Sequence, residues 1–305
     1  MKPKPVSILA LAALVAAGAS RAEEAATLKV VASTPSLQSI VQAVGGDRVE
    51  AQAICRSDED PHFIEVKPSH IMRIRKADLI VKVGMEMDLW MDALIEQAGN
   101  RRILIGKAGH VDASKGIEPL EVPAVLDRAQ GDVHPQGNPH YWLDPGNGKR
   151  IAATLCEALS RIDPASAKDY EARRAAFAQR LDQAMAGWTT RLAPLKGSSI
   201  LTYHRSWSYF TARFGITVPI ELEPKPGIPP SAAHLEKVVA VCKAKGCRCL
   251  LCEVFHPEKP CRFVQEKAGI PVLRLHTEPA PEEGIPDYLA MFDRIVEALA
   301  RTGAP

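Results

Sequence analysis

The 305-residue chain carries 38 Lys and Arg against 36 Asp and Glu, with 46% hydrophobic residues, 24 Pro, 20 Gly and 7 Cys. That composition is globular, which excludes collagen, coiled coil and disorder as the main description, and the length suits two domains or one large one. A formal charge of +2 leaves no excess of cations to displace phosphate counterions, so nucleic acid is not an expected partner.

Residues 1–22 read as a secretory signal. Lys2 and Lys4 precede an apolar stretch at 6–18, and Ser20-Arg21-Ala22 closes it with a small-x-small cleavage site. The run is shorter than the ~20 residues a bilayer span needs. Cleavage near Ala22 removes Lys2, Lys4 and Arg21, taking the 38 basic residues to 35 against 36 acidic ones, a net charge of −1. No Cys follows the apolar stretch to carry a lipid anchor. The expectation is a soluble exported protein, periplasmic and monomeric.

Residues 28–33 (LKVVAS) form a β-branched run, and 35–44 places Leu37, Ile40, Val41 and Val44 at helical spacing, a β-α opening. Strands are predicted at 49–54, 78–83 and 102–105, with helices at 68–76 and 87–98. Residues 110–138, with three Pro, three Gly and little periodicity, read as a flexible surface loop. Asp163-Pro164 then offers an N-cap and an N1 proline. Tyr170, Phe177, Leu181, Met185, Trp188 and Leu192 recur at steps of three, four and seven, which describes one linking helix over 164–195, roughly 45 Å long. Strands at 200–203, 218–222, 248–254 and 271–275 alternate with helices at 206–214, 231–245, 258–268 and 285–300. The expected fold class is α/β, with two similar lobes of mainly parallel sheet at 28–163 and 196–305 on a helical spine.

All seven Cys follow the signal, five of them between Cys242 and Cys261. In an exported chain such clustering points to disulfide partners, with the pairing left open. A thiolate zinc site on Cys247, Cys249 and Cys252 is the rival, but a strand through CRCLLCE places Cys249 and Cys252 on opposite faces.

Of nine His, three lie at strand-to-helix connections or loop ends: His62 in Asp60-Pro61-His62, His140 in Asn138-Pro139-His140-Tyr141-Trp142, and His204 in Tyr203-His204. Glu278, in Leu275-His276-Thr277-Glu278, has the same topological place after the strand at 271–275. Ligand sites of open α/β sheets form outside the carboxyl ends of strands. Three imidazoles and a carboxylate suit Zn(II) in a closed tetrahedral site, with Mn(II), which prefers more oxygen, second. Proline beside His62 and His140 stiffens the backbone that presents them.

In order and spacing these segments, with Lys76-Ala77-Asp78-Leu79-Ile80-Val81, the Pro230-Ser231-Ala232 helix start, Tyr288 and Met291, resemble the zinc/manganese solute-binding proteins of bacterial ABC importers. The resemblance spans essentially the whole chain after the signal. It implies two α/β lobes joined by one rigid helix, a metal site in the interlobe cleft and delivery of the metal to a membrane permease. His62, His140, His204 and Glu278 match the family's ligand positions, Glu278 standing where many members have Asp. Glu253 matches a further acidic position, read as structural. His134 lies six residues before His140 as a capture or closing group; the other His read as surface or packing residues, and the chain lacks the long His-rich loop of many zinc-specialised members.

Two other classes compete. A secreted zinc hydrolase would use the three His with Glu278 as general base, although no His-Glu-x-x-His helix or nucleophile elbow occurs. A metal-stabilised adhesin is the other.

Overall fold

The structure, a computed structural model, describes residues 27–125, 131 and 134–303. The expected signal at 1–22 lies outside the described residues, as do positions 126–130 and 132–133 of the expected loop. No helix among the described residues is long and apolar enough to cross a membrane.

Two parallel sheets carry the fold. The first is four-stranded, in the order β2-β1-β3-β4, from β1 (Leu28–Ala32), β2 (Val49–Ala53), β3 (Leu79–Lys82) and β4 (His110–Asp112). The second is three-stranded, β5-β6-β7, from β5 (Leu201–Thr202), β6 (Leu250–Glu253) and β7 (Val272–Leu275). In the first half α1 (Pro35–Gly45), α2 (Pro68–Lys76) and α3 (Trp90–Ala98) follow β1, β2 and β3. Thr34 caps α1, its hydroxyl accepting from the Leu37 amide, and Pro35 opens the helix.

Two local expectations are corrected and one helix is added. Residues 102–105 are no strand: the Asn100 side chain accepts from the Arg102 amide and turns Arg101–Ile103 into a 3-10 helix, and the edge strand forms later, at His110–Asp112, inside the expected loop. Residues 218–222 make a single isolated bridge, Glu221 to Thr202, and Thr217 just before them makes another to Ser199. Between loop and spine stands α4 (Pro145–Ile162), an element missing from the expected order although its apolar residues recur at helical spacing; Gly146 and Gly148 occupy its first turn. Asp144 caps it and Ile151, Leu155 and Leu159 face the core.

The linking helix α5 (Ala167–Leu192) is flanked by 3-10 turns at Pro164–Ser166 and Ala193–Leu195. It buries Tyr170, Phe177, Leu181, Trp188 and Leu192. In the second half α6 (Ser208–Phe214), α7 (Ala232–Lys245), α8 (Glu258–Ala268) and α9 (Tyr288–Ala300) complete the layers. One apolar core runs through both halves, joining Val30 and Val81 of the first sheet to Trp188 of the spine and to Phe210, Phe292 and Val296 of the second half. Polar ties lie along the same seam. Arg213 on α6 makes a two-pronged bond to Asp144, at 2.7 and 2.6 Å, and the Trp188 indole donates to Asp293 at 2.7 Å.

Candidate metal centre

The carboxyl ends of both sheets open on one cleft, as parallel α/β architecture requires. His62 enters it from the connection after β2, His140 from the turn before α4, and His204 from two residues past the end of β5. One ring nitrogen from each lies within 4.8 Å of the other two, and the ring centroids stand 5.0 to 5.4 Å apart. Among the described residues this is the single group of three or more His, Cys, Asp or Glu disposed to hold a metal. Bonds of 2.0–2.1 Å in tetrahedral geometry put ligand nitrogens roughly 3.3 Å apart, so the cluster needs little contraction to close on Zn(II).

Each imidazole is held by its other nitrogen. Asp60 Oδ1 accepts from the His62 amide at 3.0 Å and faces His62 Nδ1 at 2.7 Å. Asn138 Oδ1 repeats the arrangement at His140, with distances of 3.0 and 2.9 Å, while its Nδ2 donates to Glu121 Oε2 and to the Arg205 carbonyl. Glu223 Oε2 faces His204 Nδ1 at 2.7 Å. Because a carboxylate only accepts, Nδ1 of His62 and His204 carries the proton, and Nε2 keeps the lone pair for a metal.

The electrostatics differ from ring to ring. Burial, reinforced by His62 and His204, pushes His140 well below the usual imidazole range. Burial also opposes protonation of His204, but the hydrogen bond and charge of Glu223 outweigh it and the ring is raised. At Asp60 burial is outweighed in the same way by the bond to His62, leaving the carboxyl below its ordinary value. Two carboxylates thus stand behind the three rings and balance the charge of a divalent ion.

Glu278 is not part of the 4.8 Å group. Its Oε2 accepts from the Ser36 amide at 2.6 Å, its Oε1 is buried without a hydrogen-bond partner, and burial pushes its carboxyl up to about 8. Glu253 is fully buried, with Oε1 accepting from Ser206 Oγ and Oε2 3.4 Å from His256 Nε2. His134 packs on His62 at a centroid distance of 5.4 Å. Trp142 lies against His140 and donates to the Thr277 carbonyl, whereas Trp207 sits in the core against Phe210.

His256, read from the sequence as a packing residue, lines the same small cavity as the three histidines, stacked on Tyr203 at 4.0 Å. The orienting groups also went unread. Asp60 and Asn138 each stand immediately before a Pro-His pair, a repeated triplet that announces their role. Glu223 lies 19 residues from His204 and has no local signal beyond following an apolar run.

The family model of the zinc-uptake complex component A, periplasmic, matches residues 30–302. A high-affinity zinc uptake system protein ZnuA of Paracoccus denitrificans is 29% identical over 88% of this chain and 88% of its own. A crystal structure of a ZnuA deletion mutant with zinc bound superposes with a TM-score of 0.77 at 26% identity, covering 92% of this chain and 99% of that one. Another ZnuA crystal structure gives a TM-score of 0.78 at 24% identity, over 91% and 100% of the two chains.

Proposed function

The chain belongs to the periplasmic zinc-uptake complex component A family, the binding proteins of ABC uptake systems, and from that premise we propose that His62, His140 and His204 hold Zn(II) as cargo for a membrane permease. The observation that carries the reading is the convergence of three imidazoles, each with its Nδ1 already engaged by Asp60, Asn138 or Glu223. Three nitrogen donors favour Zn(II), and Mn(II) is the second cargo. Glu278 is proposed as the fourth ligand, from the carboxyl end of β7; its support is the buried Oε1 that lacks a partner. A metal bound there holds the carboxyl ionised against the burial that otherwise protonates it. The family consists of binding proteins rather than enzymes, which displaces the hydrolase reading.

Metal content of protein recovered from the periplasm, followed by competitive titration of Zn(II) against Mn(II), tests this. His62→Ala, His140→Ala and His204→Ala each lower zinc affinity by more than the ~10–100-fold typical of losing a group that merely orients a ligand. Glu278→Gln lowers it as well if the carboxylate binds metal. Wild-type affinity in all three His variants overturns the site, and wild-type affinity in Glu278→Gln alone removes only the fourth ligand.

A further inference from the structure

Two buried sulfurs stand apart from the histidine cluster. Cys252 on β6 and Cys261 in the first turn of α8 bring their Sγ atoms to 2.9 Å. A disulfide needs about 2.05 Å, a closure within the reach of small side-chain rotations. The segment between them carries Glu253 and His256, which line or back the metal cavity beside His204. Arg274 on β7 holds that segment from the other side, donating to the carbonyls of His256, at 3.1 Å, and Val254. Its guanidinium also lies 3.7 Å from Cys252 Sγ. The bond between the sulfurs, helped by the Arg274 charge, holds the Cys261 thiol below its usual range, and the same bond with burial raises Cys252. Of the two, Cys261 is therefore the more readily deprotonated. A thiolate zinc site is not the alternative, since the described residues offer no metal-holding group beyond the three histidines.

We propose that Cys252 and Cys261 form a disulfide in the exported protein, stapling the 253–260 segment that puts Glu253 and His256 against the third histidine. The inference rests on export to an oxidising compartment. The oxidant is a protein disulfide or oxidised glutathione met during folding, before both sulfurs are buried. Cys261 thiolate attacks one sulfur of that disulfide and expels the other as thiolate. Cys252 then loses its proton to solvent, attacks Cys261 Sγ and releases the oxidant's second thiolate. Two electrons pass to the oxidant, whose two thiolates take up protons from solvent to match those the cysteines release; it leaves as a dithiol or as two thiols, and one S–S bond is gained here as one is broken there.

The test is peptide mapping of periplasm-derived protein, alkylated in denaturant without reduction and cut at Arg248, Glu253 and Glu258. The expected result is a Cys252 peptide joined to a Cys261 peptide, about 2 Da lighter than the two thiols together, with Cys249 alkylated. Alkylation of both Cys252 and Cys261, or linkage of either to another cysteine, overturns the proposal. As a second measurement, reduction lowers the wild-type melting midpoint by about 5 °C more than that of Cys261→Ser; equal responses overturn the staple. Zinc titration of the same sample is read separately: a linked pair without zinc affinity sinks the metal reading alone, and zinc affinity without the link sinks the disulfide alone. An N-terminus beginning after Ala22 reports export independently of both.

Discussion

At the scale of single residues, the site is built by acceptors as much as by ligands. Asp60 and Asn138 each bind both the amide and the Nδ1 of the histidine two positions on, so one short triplet fixes backbone and ring together. Glu223 does for His204 from a distant segment what those residues do locally. Its charge also sets the pH response. His204 is raised, so near neutral pH the metal-free protein keeps part of a proton there that zinc must displace; His140, pushed well down by burial, stays neutral and does not compete. Zinc affinity therefore falls as pH drops through the raised value of His204. Replacing Glu223→Gln removes the group that overcomes burial, which lowers the imidazole and moves the loss of binding to lower pH. It also removes a compensating negative charge, so the plateau affinity at high pH drops ~10–100-fold. Competitive zinc titration across pH 5 to 8 reads both effects, and an unchanged curve shows that Glu223 neither orients nor charges the ring.

At the scale of elements, most of the β-α alternation was legible because buried parallel strands are short apolar runs and their helices carry a 3.6-residue stripe. The errors have local causes. Residues 102–105 look like a strand in composition, but Asn100 donates to the carbonyls of Arg75 and Ala77 and bends the chain into a turn first. Helix α4 shows its stripe at Ile151, Leu155 and Leu159 but opens on two glycines, poor helix formers, of which tertiary packing requires Gly148. At Gly148 an added Cβ would meet Tyr288 Cε1 at 2.8 Å, and Tyr288 is fixed there by its hydroxyl, which donates to the Trp142 carbonyl. Gly148→Ala forces α4 away from α9 or displaces Tyr288, so it costs about 1–3 kcal/mol despite the better helix propensity of Ala. A denaturant melt of the metal-free protein checks this, and a stabilised variant shows that the contact yields freely. Three ligand candidates were legible for a simpler reason: His62, His140 and His204 stand where strands or loops end beside Pro or an apolar run. No spacing could show that Glu278 turns its Oε2 to the Ser36 amide, because that contact joins residues 242 positions apart.

At the scale of the molecule, the seam between the two sheets is filled by one continuous apolar core. Trp188, Phe210 and Phe292 belong to the same core as Val30 and Val81, so rotating one sheet against the other would open apolar surface along the spine. Arg213 to Asp144, Trp188 to Asp293 and Tyr209 to the Asn138 carbonyl cross the seam with directional bonds that a hinge would break. The last of these also holds the segment that presents His140, tying ligand position to the seam itself. Loading and release must then occur through movements of the connections at the cleft, not by wide closure of two halves about a flexible linker. Zinc binding is accordingly expected to change the radius of gyration by less than about 0.5 Å, against about 19 Å for a compact chain of this length. Small-angle scattering of the metal-free and zinc-loaded protein measures that difference. A contraction above about 1 Å would mean that the core along α5 separates in the empty protein, and the spine would then have to be redescribed as a hinge.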